Sequence, residues 1–394
     1  MDVKQIYEFV NTATTEAVGS AALVQEDLSN IVDVGTALFN ANAVDRWVKS
    51  LVNQIGRVIF VDRVYKRKRL NLLRDGWEYG SVLEKIQVDI PTASENETWA
   101  LNDGNSYDPN VFYGSTTSVK FFNSKLTFEI NVSFADRQIR QSLQSPVQLN
   151  SFLSMIYNNV EKAMEIKIDE LERRAINNMI AETMYTEYSS GSVFGNASHV
   201  KAVNLLYLYN TRYGLTGDSA LTAANALTTP EFLRFAVLYM KNYKDRMASA
   251  STLFNLGAKV RFTPADLLNC VMLSDFRNAA EVYLYDANGQ LKDESLRLMD
   301  ADVIPYWQGS GTGYAFTDIS KVYATTTGSH AVTATGVLAV MFDRDALGVC
   351  NTDRRVTTNY NPKAEFYTNF YKCDMSLFND GNENFVVFFV ADAS

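Results

Sequence analysis

The side chains able to do acid–base, nucleophilic or metal chemistry are few in this chain, and their spacing assembles none of them into a site. Two histidines, His199 and His330, occur in 394 residues. His330 ends the small polar run Thr325-Thr326-Thr327-Gly328-Ser329, and His199 follows Gly195-Asn196-Ala197-Ser198. A Ser-His-acid system needs its nucleophile exposed on a sharp turn beside the histidine, and neither neighbourhood has that form. Cys270, Cys350 and Cys373 are odd in number and lack CxxC spacing. Neither a disulfide framework nor a zinc site is expected, and a reducing compartment fits better. Gly309-Ser310-Gly311-Thr312-Gly313 has the glycine content of a phosphate loop. It lacks the GxGxxG register, a GKS or GKT ending and a following helix, so it reads as a turn. Asp343 with Asp345, and Asp300 with Asp302, are spaced so that a strand would place each pair on one face, where a hard cation could bind. A metal enzyme built on Asp343 and Asp345 is one reading, but spacing alone also describes solvated charges. No catalytic residue, cofactor or metal is expected.

Charge and aromatic surface are what the chain concentrates. Lys and Arg total 36 against 45 Asp and Glu, a net charge of −9. Between Arg57 and Arg74 the sign reverses: Arg57, Arg63, Lys66, Arg67, Lys68, Arg69 and Arg74 face the single acid Asp62. That segment carries +6, so the rest of the chain carries −15. An acidic chain is a poor coat for nucleic acid, although a local basic patch can touch phosphate. A basic patch on an otherwise acidic protein also suits head-to-tail docking on an identical neighbour, because two different patches meet. The chain holds 21 Tyr, 23 Phe and 4 Trp. Aromatics are favoured at interface cores as well as in interiors, which tilts the reading the same way. At 47% hydrophobic and 21% charged the composition is globular, with length for two or three lobes. Met1-Asp2-Val3-Lys4-Gln5 lacks the form of a signal peptide. The densest apolar stretch, Phe385 to Ala391, is far short of the roughly 20 residues that span a bilayer, so no membrane partner is expected.

The elements that must carry these residues follow from periodicity. Residues 1–42 read as an arm with one weak amphipathic turn near Ile6, Phe9 and Val10. Val44, Trp47, Val48, Leu51, Val52 and Ile55 recur at helical spacing, and Arg57 to Tyr65 is a β-branched strand. Residues 66–134 read as a long extended hairpin: the basic run, a strand from Ser81 to Ile90, a polar tip, and a return through Val119, Phe121, Leu126, Phe128, Ile130, Val132 and Phe134. Ser145-Pro146 then starts a helix. Leu149, Phe152, Leu153, Ile156, Val160, Met164, Ile168, Leu171, Ala175 and Met179 hold its 3.6-residue period, and no Gly or Pro interrupts Val147 to Tyr188. Such a helix is about 60 Å long and needs a matching surface, supplied by the packing stripe Phe152, Ile156, Val160, Met164, Ile168 and Leu171. Residues 189–335 read as an α/β lobe, with helices near Val200–Tyr209 and Pro230–Met247 and strands at Cys270–Leu273, Ala301–Pro305 and Tyr314–Phe316. From Gly336 the chain is β: Val337–Phe342, Arg355–Asn359, Phe366–Asp374 and Phe385–Val390.

This order of parts, an α+β arrangement, resembles the major capsid protein of tailed bacteriophages, a fold shared with encapsulins and the herpesvirus capsid floor. Met341-Phe342-Asp343-Arg344-Asp345-Ala346-Leu347-Gly348-Val349 is similar to that family's strand followed by a D-x-D/E-A-hydrophobic-G turn. Tyr360-Asn361-Pro362-Lys363-Ala364-Glu365-Phe366 and Asp380-Gly381-Asn382-Glu383-Asn384-Phe385 resemble its closing segments. The resemblance implies an N-arm over 1–42, a helix and strand of the P-domain over 43–65 and an E-loop hairpin over 66–134. It further implies a P-domain spine helix over 135–188, an A-domain over 189–335 and a β segment returning through the P-domain over 336–394. It implies a non-enzymatic subunit that self-assembles as hexamers and pentamers into an icosahedral shell around double-stranded DNA, in a virion assembled in the host bacterial cytoplasm. An encapsulin-like compartment is the alternative. The implied partners are copies of the chain, a separate scaffolding protein, a portal protein and DNA by weak non-specific contact. A separate scaffold is expected because the arm is short where some relatives carry a long scaffolding segment. On this reading the basic residues at the hairpin base, Arg57 to Arg74, contact a neighbouring subunit.

Overall fold

Runs that are apolar at every position need cover on both faces, whereas alternating runs need it on one. The chain uses both, in different sheets. A computed structural model describes residues 3–19, 23, 25, 30–40, 43, 46, 47, 50, 70, 72–74, 83–91, 93, 103, 104, 108–114, 117–122, 124–135, 146–283, 301–308, 313 and 315–393. In chain order the described elements begin with α1 (Val3–Val18), α2 (Ile31–Asn40), β1 (Leu73–Arg74), β2 (Leu83–Val88), β3 (Thr117–Phe122) and β4 (Lys125–Ala135). The long helix α3 (Pro146–Tyr188), β5 (Ala202–Asn204), α4 (Leu205–Tyr213) and α5 (Pro230–Met247) follow. After them come β6 (Leu268–Leu273), α6 (Ser274–Tyr283), β7 (Asp302–Ile304), β8 (Val322–Thr325) and β9 (Ala331–Ala334). The chain closes with β10 (Val337–Asp343), β11 (Leu347–Asn361), β12 (Phe366–Asn379) and β13 (Phe385–Phe389). It divides into two units, the first of residues 1–81, 124–172 and 349–377, the second of 82–123, 173–348 and 378–394.

The first unit holds a four-stranded sheet in the order β1-β11-β12-β4. β12 and β4 run antiparallel, from Phe366 opposite Ala135 to Ser376 opposite Lys125. One face of β4 carries Leu126, Phe128, Ile130, Val132 and Phe134, with Phe134 fully covered. The other face is laced across the strands. The Thr127 hydroxyl donates to Asp374 (2.7 Å), Lys372 pairs with Glu129 (3.3 Å), and Ser133 meets Thr368 (3.0 Å). These are the cross-strand pairs that stabilise an exposed sheet face. In the same unit α3 buries Val160, Met164, Ile168 and Leu171. The side chains of Phe152 and Ile156 lie outside the described ones.

The N-terminal arm differs from expectation: it forms two helices, α1 and α2. Val10, Ala13, Thr14 and Ala17 of α1 and Ile31, Val34 and Leu38 of α2 are buried, and the Trp47 indole N–H donates to the Thr14 hydroxyl at 3.0 Å. The stripe of α1 is built from Ala and Thr, too weakly apolar to stand out in the sequence. Thr12, Thr14 and Thr15 return their hydroxyls to carbonyls four residues back, so they do not break the helix.

The second unit is an α/β lobe on the five-stranded sheet β5-β13-β10-β6-β7. Every residue of β10 and β13 is buried. On one face Met341, Val386, Phe388, Cys270 and Met272 pack with Leu206, Tyr209, Phe232, Phe235, Met240 and Phe276 of α4, α5 and α6. On the other Phe342 stacks on Phe385, and Tyr188 of α3 meets Phe389 edge-on at 5.9 Å. Here the C-terminal segment departs from expectation. β10 and β13 belong to this lobe, while β11 and most of β12 belong to the first unit's sheet. A run apolar on both faces, Val337 to Phe342, requires the doubly covered centre of a sheet. Three smaller differences accompany it. Ala202–Asn204 is an edge strand pairing parallel with β13, and the expected helix starts after it, capped by Asn204, whose side chain accepts from the Leu206 and Tyr207 N–H groups. Phe316–Ile319 is a helical turn where Tyr314–Phe316 read as a strand. Among the described residues of the expected 66–134 hairpin, β2 pairs with β3, whereas β4 joins β12.

Candidate interaction surface

Among the described residues, the histidines and the Asp343–Asp345 pair are engaged in packing and turn contacts. His330 stacks on Tyr185 (4.3 Å, 10°), and His199 meets Tyr188 edge-on at 4.5 Å. Asp343 accepts from the Thr263 hydroxyl (2.8 Å) and the Asp345 N–H (2.9 Å), so both its oxygens serve the turn after β10. The three cysteines are buried and unpaired with one another. Burial pushes Cys270 up to about 12 and Cys373 up to about 11, far from thiolate chemistry near neutrality. Among the described residues no group of three or more His, Cys, Asp or Glu is placed to hold a metal ion. Of the other residues singled out, Asp300 and Gly309 to Thr312 lie outside the described ones. So do Arg57, Arg63, Lys66, Arg67, Lys68 and Arg69, and of Arg74 only the backbone, in β1, is described.

What the structure does assemble is an inverted hairpin. β2 and β3 pair with Lys85 opposite Lys120 and Ile86 opposite Val119. Alternation sorts their side chains onto two faces. Ile86 (64% exposed), Val88, Ile90, Val119 and Phe121 (63%) lie open to solvent. Lys85, Gln87, Asp89, Lys120 and Phe122 are half-buried. A two-stranded sheet in water ordinarily hides its apolar face, and this one displays it. The displayed chemistry continues in the chain between the strands, where Phe112 (93% exposed) and Tyr113 stand free.

The polar face is held by the turn between β12 and β13. Lys85 Nζ lies 2.8 Å from Asp380 Oδ2 and 2.8 Å from Glu383 Oε1, and it also donates to the Asp345 carbonyl (3.2 Å). Lys120 Nζ reaches Asp380 Oδ1 at 3.1 Å. Gln87 donates to Glu383 (2.6 Å) and to Asp380 (3.3 Å), and its amide oxygen accepts from Arg261 (2.9 Å). Lys259 pairs with Asp89 at 2.8 Å. Phe122 adds one aromatic contact, to Phe378 at 5.7 Å. The turn itself is preset: the Asp380 N–H donates to the Ala346 carbonyl, the Asn382 N–H to Asp380 Oδ1, and the Asn384 amide to the Thr263 hydroxyl. The segments around Asp343 and Asp380, far apart in sequence, are thereby joined. A cavity of about 500 Å³ adjoins the clasp, lined among others by Lys120, Asn178, Glu182, Thr326 and Asn382.

Two carboxyls in this clasp behave oppositely. For Asp380 burial pushes the pKa up, but the Lys85 hydrogen bond and charge, the Asn382 N–H and Lys120 outweigh it and hold the group below its ordinary range. For Glu383 burial wins over Lys85 and Arg261, with Asp343 adding repulsion, and the group sits above its ordinary range. Sequence reasoning missed Lys85, Gln87, Lys120 and the clasp. The available signal was the alternation of polar with apolar residues over Lys85–Ile90 and Ser118–Phe121; which face turns outward is invisible to alternation.

The family model for the Phi29-like phage major capsid protein matches residues 8–389. Among solved structures, the capsid of Staphylococcus phage Andhra is similar with a TM-score of 0.50 at 10% identity, covering 84% of this chain and 86% of that one. The capsid of cyanophage P-SCSP1u has a TM-score of 0.40 at 11% identity, covering 84% of this chain and 92% of that one. A search of curated protein sequences returns no match.

Proposed function

This chain belongs to the Phi29-like phage major capsid protein family, and from that premise we propose that it closes its shell by laying the apolar face of the β2–β3 hairpin on a neighbouring copy. The protein is a structural subunit of the phage capsid, a component of the virion. An encapsulin-like compartment is not favoured, since the matching family is one of phage capsid proteins. One observation carries the docking reading: Ile86, Val88, Ile90, Val119 and Phe121 are exposed together on one face of a regular sheet. Contiguous apolar surface of this kind marks an interaction site in a soluble protein. The hairpin corresponds to the E-loop of such subunits, β1, β4, β11 and β12 with the first part of α3 to the P-domain, and the α/β lobe to the A-domain.

Stable specific interfaces bury roughly 1,200–2,000 Å². Closed symmetry repeats each contact around every hexamer and pentamer of an icosahedral shell, so individually weak contacts suffice. The basic stretch Arg57 to Arg74 would meet acidic surface on the same neighbours, because the rest of the chain carries the compensating negative charge. A separate scaffolding protein, a portal protein, assembly in the host bacterial cytoplasm and weak contact with packaged double-stranded DNA complete the reading. An acidic wall grips the polymer loosely.

Replacing Ile86 and Phe121 together by Ser, in an expression system where the wild-type chain forms shells, is expected to leave a folded subunit by circular dichroism and no shells by negative-stain microscopy. Normal shells from that variant would overturn the docking role.

A further inference from the structure

The hairpin's attachment to its own lobe has an unusual make-up. Its apolar face is displayed, and the aromatic contact described between hairpin and lobe is Phe122 with Phe378. Beside it stands a polar attachment, much of it charged: Lys85, Lys120 and Gln87 on Asp380 and Glu383, with Asp89 on Lys259 and Gln87 on Arg261. Register adds a second force. Lys85 and Lys120 are directly opposite each other across the antiparallel pair, where like charges repel. Asp380 sits between them, one oxygen to each ammonium, with its side chain 1% exposed. The same carboxylate therefore fastens the hairpin to the lobe and suppresses a repulsion inside the hairpin. When it is engaged the arm is seated and zipped; when it is lost the two lysines push apart.

We propose that the β2–β3 hairpin is a detachable arm, held on its lobe by a clasp centred on the Asp380 carboxylate with Glu383 beside it, and released, apolar face intact, when salt or a competing cation takes the Asp380 carboxylate. An isolated two-stranded hairpin is marginally stable in water, so an unclasped arm also loosens its own strand pairing. Release would let one arm meet neighbours at different angles while presenting the same apolar face. The use of the arm depends on the docking role proposed above; its release does not, and the two are tested apart.

Amide hydrogen exchange of the full-length chain reads the clasp directly. In low salt the amides of β2 and β3 are expected to be protected. In about 1 M NaCl, where charges are screened beyond roughly 3 Å, their exchange rises about tenfold while β10 and β13 stay unchanged. Lys85→Gln with Lys120→Gln is expected to reach the fast regime in low salt and to lose the salt response. Asp380→Asn supplies the sharper sign. Lys120→Gln loosens the hairpin in the wild-type background but tightens it in the Asp380→Asn background, because there it only removes repulsion. Salt-independent protection, or exchange rising equally in β10, would show that Phe122 packing and not the clasp seats the arm. The Ile86→Ser, Phe121→Ser variant is expected to respond to salt as the wild-type chain does, whether or not it forms shells, so a failed clasp and a failed docking surface give different results.

Discussion

At the residue scale, Asp380 and Glu383 show how one clasp can hold two carboxylates of opposite thermodynamic sign. Asp380 has its pKa lowered in the folded chain, so the stability tied to it is present above the ordinary value of 3.8 and is lost as pH falls through the folded value. Glu383 has its pKa raised, so the stability tied to it is full below the ordinary value of 4.5 and is lost as pH rises through the folded value. At neutral pH the Asp380 charge thus supports the fold and the Glu383 charge opposes it. Asp380→Asn is expected to lower stability at pH 7 by about 1.5–3 kcal/mol, the range for a lost hydrogen bond to a charged group, with a smaller loss in acid. Glu383→Gln is expected to leave stability at pH 7 unchanged or raised. Denaturant midpoints across pH decide between these, and equal losses at both positions would contradict the assignment.

At the element scale, sequence pattern located the strongest elements almost to the residue. α3 runs Pro146–Tyr188 where Val147–Tyr188 was expected, and α5 begins at Pro230 as predicted. These succeed because a long apolar period and a first-turn proline are local signals. β10 was legible as a strand, but its neighbours were not: the partners in β6 and β13, which flank it, lie about seventy and about fifty residues away in sequence. Its entry depends on Gly336. That residue has φ +78°, and a Cβ there would fall inside van der Waals distance of the Val390 carbonyl oxygen just past β13. Gly195 is as tightly placed against the Asp392 carbonyl. Gly336→Ala is expected to cost about 2 kcal/mol or more, since it combines backbone strain with displacement of the terminal strand. A denaturant midpoint within experimental error of wild type would refute that close approach.

At the scale of the whole molecule, the net charge of −9 conceals a +6 segment from Arg57 to Arg74 within a chain otherwise at −15. Arg67→Glu with Lys68→Glu removes most of that segment's charge and is expected to block shell assembly while leaving a folded subunit. Normal particles by electron microscopy would remove the basic run from the interface. By itself the sequence determined the long helix, the strongest strands, the α+β class and the poverty in reactive groups, because each rests on local periodicity or composition. Only the tertiary structure decided which sheet each C-terminal strand joins, that the N-terminal arm is two packed helices, and that the hairpin shows its apolar face outward and its lysines inward. Strand alternation defines two faces but not which is covered. That choice was made by Asp380 and Glu383, some 260 to 300 residues distant from the lysines they hold.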